Sequence, residues 1–337
     1  FKLLFLVTGG AGFIGSHMVE FLLNKGHEVK VLDNLSSGRL SNISPFFKSD
    51  KLEFIEGDIQ DKNLLDLAFK GVTHVIHFAG KGEIVPSIEA PIDYMSANIM
   101  GTLNVLETSR RFAVKKFVYA ASSSCYGLAV TPTNEKAPIQ PEHPYAISKF
   151  LGEYIALSWN SIYKLPVNSI RIFNAYGRRV RTTGSYGAVF GVFLKQKLEG
   201  KPLTVIGDGT QARDFIHVRD VVHAFYLASI TAKSGCVWNL GSGEAQSVNS
   251  LASLIGGQIV NIPDRPGEPR ITLADNTKIV SELGWTPQVN FQTGVEEILK
   301  NINEWSDGPL WTADTIQHAT STWFKFMSDK NSSESRG

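Results

Sequence analysis

Near the start of the chain, apolar residues come in short runs, at 3–7, 28–32, 51–55, 74–78 and 116–120. Longer segments lie between them, such as 16–24 and 63–69, in which apolar positions return at the spacing of a helix face. Strands alternating with helices predict a parallel sheet covered on both sides. Beyond 171–173 the pattern loosens into a Gly-rich, basic loop over 177–187, a helix at 189–198 and short segments punctuated by Pro. That half reads as a smaller lobe, interleaved with the first domain because the sheet can receive a late strand. The expected boundaries are 1–175 for the first domain and 176–327 for the lobe, followed by a disordered tail at 328–337, rich in Ser, Asn, Lys and Glu. No internal repeat at solenoid spacing is visible.

At 337 residues, 43% apolar and 19% charged, the composition is that of an ordinary soluble protein of one large or two ordinary domains. With 33 basic against 32 acidic residues the net charge is +1, so no whole-chain field argues for nucleic acid or an anionic membrane. Cys125 and Cys236 lie far apart without a Cys-x-x-Cys spacing, which gives neither a disulfide framework nor a zinc site and suits buried thiols in a reducing cytoplasm. The first apolar run is broken at Thr8 and its glycines, far short of the ~20 residues that cross a bilayer, and no signal-peptide cleavage pattern follows. A soluble, cytoplasmic protein is expected.

Thr8-Gly9-Gly10-Ala11-Gly12-Phe13-Ile14-Gly15 stands directly behind the first run. A glycine-rich turn between strand and helix lets backbone N–H groups approach a pyrophosphate, whose charge the helix start favours. Asp33 ends the second run 18 residues past Gly15, where a carboxylate bonds the adenosine ribose of a dinucleotide. A carboxylate there repels a 2′-phosphate, so NAD is favoured over NADP; Arg39 is the residue that argues the other way. Tyr145 and Lys149, four apart, share one helix face. The ammonium is therefore expected to hold the phenol below its usual ~10 and make it a general base.

Together with Ser122, Ser123 and Ser124, these motifs resemble the extended short-chain dehydrogenase/reductase family, and within it the nucleotide-sugar epimerases and dehydratases. The resemblance covers residues 3–290. It implies a Rossmann-like doubly wound parallel sheet with a smaller, interleaved α/β lobe that binds the nucleotide sugar. It implies NAD held by Gly9, Gly12, Phe13, Ile14, Asp33 and Asn34, by Asp58 and Ile59 at the adenine, by Phe78, Ala79 and Gly80 beside the pyrophosphate, and by Asn98, Tyr145 and Lys149. Asp58 also suits a helix N-cap. The catalytic set carried over is Ser122, Tyr145 and Lys149.

On the substrate side the resemblance assigns Ser87, the serines 122–124, and Asn174 within the segment Arg171-x-Phe173-Asn174-x-Tyr176-Gly177 that meets sugar and diphosphate; Arg178 replaces a frequent Pro. Arg213 is the counterpart of an arginine that grips the diphosphate, a task suited to a planar guanidinium. Arg265 is assigned to phosphate and Glu268 to the ribose. Thr272, four after Glu268, stands where a Tyr excludes N-acetyl sugars, so the pocket has room for one unless Arg270 or Tyr186 fills the space.

The resembling dehydratases carry Asp then Glu where this chain has Ser123 and Ser124, and the decarboxylases a Glu at the second position. Hydroxyls that do not titrate near pH 7 cannot replace such a pair. What remains is oxidation and reduction alone, hence epimerisation or simple dehydrogenation; of these the resemblance implies a 4-epimerase of a nucleotide-diphosphate sugar, a UDP-sugar above all. Tyr145 as phenolate takes the proton of the sugar 4-hydroxyl, Ser122 bridges that hydroxyl, and Lys149 binds the nicotinamide ribose. A transient 4-keto sugar is then reduced on its other face. Two alternatives stay open: another epimerase or reductase outcome on the same intermediate, and a catalytically silent NAD-binding regulator. A lysine that some epimerases use is shifted, with Gly82 at its place and Lys81 beside it. Helices at 95–112 and 145–159 carry apolar stripes that either cover the sheet or, as in the resembling family, form a four-helix interface between subunits, so the resemblance implies a homodimer.

Other candidates fail. His74 and His77 sit three apart on a strand and point to opposite faces, so no metal is expected. Arg178, Arg179 and Arg181 lack the aromatic platform of a nucleic-acid site and read as a solvated loop or a phosphate-facing lid. No Gly-x-Ser-x-Gly elbow supports serine hydrolase chemistry.

Overall fold

The computed structural model describes residues 2–183, 189–264 and 268–327. Arg265, Tyr186 and the 328–337 tail therefore lie outside the described residues. Seven strands form the main sheet: β1 (Leu4–Thr8), β2 (Glu28–Asp33), β3 (Leu52–Glu56), β4 (His74–His77), β5 (Lys116–Ser122), β6 (Val167–Ile172) and β10 (Val237–Leu240). Their order is β10-β6-β5-β4-β1-β2-β3, and every pairing is parallel. This is the doubly wound sheet expected. The order reverses between β1 and β4, and in such sheets ligands bind outside the carboxyl ends of the strands at that point.

Helices cover both faces because the central strands are buried on both sides. On one face, the helices Phe13–Asn24 and Val218–Ile230 bring Met18, Leu22, Val221 and Phe225 against Phe5, Val7, Ile76 and Val118. On the other, Leu65, Val105, Leu106 and Ala156 of the helices Lys62–Ala68, Thr102–Arg111 and Pro144–Tyr163 pack on Leu6, Val75 and Phe117. Residues later than 176 thus complete the first core: Trp238 and Leu240 on the edge strand, and Ile279 and Trp285 beyond it, are all fully buried there.

The second lobe carries two small sheets. One has the order β11-β9-β7, from β7 (Asn174–Tyr176), β9 (Ala212–His217) and β11 (Ala245–Ser247); the other pairs β8 (Leu203–Ile206) with β12 (Ile259–Ile262). Phe190, Phe193, Leu251 and Val295 from three helices join Leu203, Val205 and Phe215 in a separate core, and Trp305 and Ile316 extend it toward the C-terminus.

Local signals explain the element ends. Asp61 caps the helix Lys62–Ala68 by accepting the Asn63 and Leu64 N–H groups at 3.0 and 3.1 Å. Asp58 is therefore not the N-cap; its carboxylate takes the Gln60 N–H and the Asn34 side-chain amide instead. Pro144 opens the helix Pro144–Tyr163, and His143 Nδ1 accepts the Ala146 N–H at 3.2 Å. The helix expected over 95–112 is interrupted by a π-helical turn, Ser96–Gly101, between Pro91–Met95 and Thr102–Arg111. Such turns are often found at functional sites.

Candidate active site

The carboxyl ends of the strands and the second lobe enclose a cleft of about 1300 Å³. A single small ligand usually fills roughly 300–1,000 Å³, so this cleft has room for two ligands side by side.

At its base the glycine turn is pressed from two directions. Gly9 takes φ +69°, and a Cβ on it would come within 2.7 Å of Ala79 N, in the turn that follows β4. A Cβ on Gly15 would run into the Gly9 carbonyl. Glycine lets the helix Phe13–Asn24 pack close to β1, and Gly12 starts that helix with no side-chain cap. Its first N–H groups are thus left for a ligand, at the point where Gly9, Gly12, Phe13 and Ile14 line the cleft. Asp33, at the end of β2, accepts the Ala11 N–H at 2.9 Å and the Leu35 N–H at 2.8 Å. Burial pushes its carboxyl up, and those two hydrogen bonds pull it back. Asn34, Asp58, Ile59, Phe78, Ala79 and Gly80 continue the same wall. An open helix start for a pyrophosphate and a carboxylate for an adenosine ribose are what NAD requires, so these residues fit it.

Asn98 and Ser87 do not line this wall. Asn98 is buried; its amide donates to Lys81 O at 2.9 Å and Ser148 Oγ at 2.8 Å, and its oxygen accepts the Lys81 N–H at 2.7 Å. Ser87 is also buried, donating to Ile84 O at 2.6 Å and accepting the Tyr145 N–H at 3.1 Å. The resemblance placed them on cofactor and substrate, but here each holds the frame behind the cleft. Asn98 fixes the Gly80-Lys81 turn, and Ser87 fixes the first turn of the helix that carries Tyr145.

Ser122, Tyr145 and Lys149 meet at the floor, where β5 ends against that helix. Ser122 Oγ lies 2.8 Å from Ser124 Oγ and accepts the Ser124 N–H at 3.2 Å, which folds the serines 122–124 into the cleft edge. The Tyr145 phenol is raised above 10: burial pushes it up, and a hydrogen bond with Ser122 holds it back. The expected lowering does not occur, because the burial that raises the phenol also disfavours the ammonium. Lys149 falls to about 8 through burial, opposed by the charge of Glu153. Its Nζ sits 4.7 Å from the centre of the Tyr119 ring.

Arg171 departs from its expected place toward sugar and diphosphate. It is buried, donates to Glu153 Oε1 at 2.6 Å and to Tyr126 OH at 2.7 Å, and braces the sheet beneath Lys149. The second lobe supplies the opposite wall with Asn174, Arg213, Glu268 and Thr272. Arg213 lies 3.4 Å from Glu268 and donates to Ala212 O at 2.9 Å. Thr272 Oγ1 donates to Asn174 Oδ1 at 3.0 Å. Arg270 does not fill the space beside Thr272: its guanidinium turns to Thr210 and Asp208.

In the described part of the basic loop each of the three arginines has an acidic partner. Arg178 pairs with Glu304, Arg179 with Glu20 and Arg181 with Glu83. Arg39 crosses from the first lobe to Val180 O at 3.1 Å and Thr182 Oγ1 at 3.4 Å, and Thr182 donates to Asp307 at 2.6 Å. Sequence reasoning missed this link, and it missed Trp305, Trp311 and Trp323, which also line the cleft. The one available signal was that three of the chain's six Trp fall in its last 33 residues. His77 makes two hydrogen bonds, to Thr8 on the neighbouring strand and to Thr102 at the start of the helix Thr102–Arg111, and among the described residues no group of three His, Cys, Asp or Glu side chains could hold a metal ion. No described helix is long and apolar enough to cross a membrane.

Comparison with known proteins decides the family. The family described as GDP-mannose 4,6 dehydratase matches residues 6–298. This chain belongs to the extended short-chain dehydrogenase/reductases, among the nucleotide-sugar epimerases and dehydratases. It is 37% identical over 305 residues to the UDP-glucose 4-epimerase of Mycolicibacterium smegmatis, covering 88% of this chain and 97% of that one. It is 33% identical over 322 residues to the dTDP-glucose 4,6-dehydratase of Streptomyces niveus, covering 91% and 94%. Among solved structures, the UDP-glucuronic acid 4-epimerase of Bacillus cereus, in complex with UDP-glucuronic acid and NAD, aligns with a TM-score of 0.83 at 30% identity over 90% of this chain and 99% of that one.

Proposed function

We propose that the protein is an NAD-dependent epimerase of a nucleotide-diphosphate sugar, a UDP-sugar above all, acting at the 4-position through a transient 4-keto sugar. What carries the reading beyond the family is the floor of the cleft, where Ser122 bonds the Tyr145 phenol and the two positions after it offer only hydroxyls. A dehydratase needs an acid and a base beside the sugar to expel water; Ser123 and Ser124 supply neither.

In this reading Tyr145 takes and returns the proton of the sugar 4-hydroxyl, and Ser122 steers that hydroxyl. Lys149 holds the nicotinamide ribose and offsets the charge of the phenolate. Arg213 faces the diphosphate, and Glu268 beside it the nucleotide ribose. Bound NAD supplies the acceptor and donor of a hydride. The same reading makes the enzyme a homodimer: Leu151, Tyr154, Ser158 and Ile162 follow one face of the helix Pro144–Tyr163, and Tyr154 and Ile162 are each 63% exposed.

Incubation of the purified protein with UDP-glucose, UDP-galactose and their N-acetylated forms, followed by NMR of the products, tests the reading. Interconversion of a 4-epimer pair is expected. A 4-keto-6-deoxy product, or no turnover of any UDP-sugar, overturns it.

A further inference from the structure

Two contacts fix the start of the helix that carries Tyr145. The Tyr145 N–H donates to Ser87 Oγ on the helix Ile84–Glu89, and the Ala146 N–H donates to His143 Nδ1. The His143 ring also stacks on the phenol, at 5.9 Å between centroids and 6° between planes. Both supports lean on one further element, the helix Ser321–Met327. Trp323 of that helix lies 6.3 Å from the His143 ring and is only 5% exposed. Trp323 and Met327 also form a small core with Val85, Ile84 and Ile88, on the helix of Ser87. Thr322 adds a hydrogen bond to Glu89 at 3.3 Å. This segment lies beyond residue 298, where the family match ends.

We infer that Trp323 is a positioning residue for Tyr145: through His143 and the Ser87 helix, the C-terminal helix sets where the phenol stands. A residue that acts only through another's placement can still matter, since a shift of about 1 Å at a reacting group can cost on the order of 10²-fold. The inference rests on the proposed epimerase only for its kinetic arm. Its structural arm is independent of substrate.

The test compares the parent holoenzyme with Trp323→Ala and Trp323→Phe. In Trp323→Ala, hydrogen exchange at the Tyr145 and Ala146 amides should quicken by on the order of 10-fold, while amides of the glycine turn and the NAD content stay at parent levels. On the UDP-sugar the parent epimerises, kcat should fall by on the order of 10-fold at a KM within about 2-fold of the parent, and Trp323→Phe should recover most of it. Parent exchange and parent kcat in Trp323→Ala overturn the inference. If Trp323→Ala does not fold, Met327→Ala takes its place with the same expectations. A parent without 4-epimerase activity whose Trp323→Ala variant still shows the faster local exchange sinks the proposed function and upholds the inference; unchanged exchange sinks the inference in either case.

Discussion

Lys149 is held at a cost to stability that replacement should release. It is 9% exposed, and burial takes its ammonium from 10.5 to about 8. At about 1.4 kcal/mol for each tenfold change in proton affinity, keeping the charge in the fold at pH 7 costs roughly 3 kcal/mol. Lys149→Met keeps much of the shape and removes the charge. It also removes the contact with the Tyr119 ring, worth roughly 0.5–2 kcal/mol. The expected net gain is roughly 1–2.5 kcal/mol, which for a chain of this length, at about 2.1 cal/mol/K of unfolding entropy per residue, raises Tm by roughly 1.5–3.5 °C. The assay is thermal unfolding of both proteins stripped of nucleotide, so that bound NAD does not add its own stabilisation. The pH dependence supplies the control. Below about pH 8 both the folded and unfolded parent carry the proton, and the gap is constant. Between about 8 and 10.5 the folded parent binds fewer protons than its unfolded chain, so its stability climbs with pH and the gap closes. A variant less stable than the parent at pH 7, or a gap that survives at pH 10.5, refutes the reasoning.

Tyr145→Phe should keep the fold and NAD content yet lower turnover by on the order of 100-fold or more, the usual share of a positioned acid or base; near-normal turnover removes Tyr145 from the chemistry. Thr272→Tyr should depress turnover of an N-acetylated UDP-sugar on the order of 10- to 100-fold more than that of its unsubstituted counterpart, because overpacking costs roughly 1–3 kcal/mol, and equal losses on the two contradict a pocket open at the 2-position. Sedimentation at micromolar concentration should give a dimer that Tyr154→Glu dissociates, whereas a stable parent monomer excludes the dimer.

The parts of this enzyme visible in its sequence are those set by near neighbours. The five early strands show because each is a short apolar run, and the glycine turn shows because the positive φ of Gly9 and the contact of Gly15 with the Gly9 carbonyl both belong to one strand-turn-helix unit. Tyr145 and Lys149 show because four residues make about one helical turn. Other features depend on which elements meet. Arg171 turns inward because β6 brings it beneath Glu153, which no local spacing announces. Asn98 and Ser87 look like ligand contacts in a linear motif but become braces once a π-helical turn and a neighbouring helix bury them. The same burial reverses the expected shift of the Tyr145 phenol. Trp323 reaches the cleft only through the packing of the last helix on Val85.

During synthesis the placement of β10 leaves an interval. Strand β6 is finished at Ile172, but the strand that pairs with its far side ends at Leu240, roughly 70 residues later, a delay on the order of 3–14 s at about 5–20 residues per second. Through that interval the nascent sheet ends in a bare row of backbone donors and acceptors beside apolar side chains, the kind of edge on which strands of other chains can add. The helix Val218–Ile230 and Trp238 arrive with the closing strand and cover the same face, so the dinucleotide-binding half is sealed only when much of the second lobe has been made. A fragment cut after the first half would keep that edge open for good, and its expected fate is aggregation.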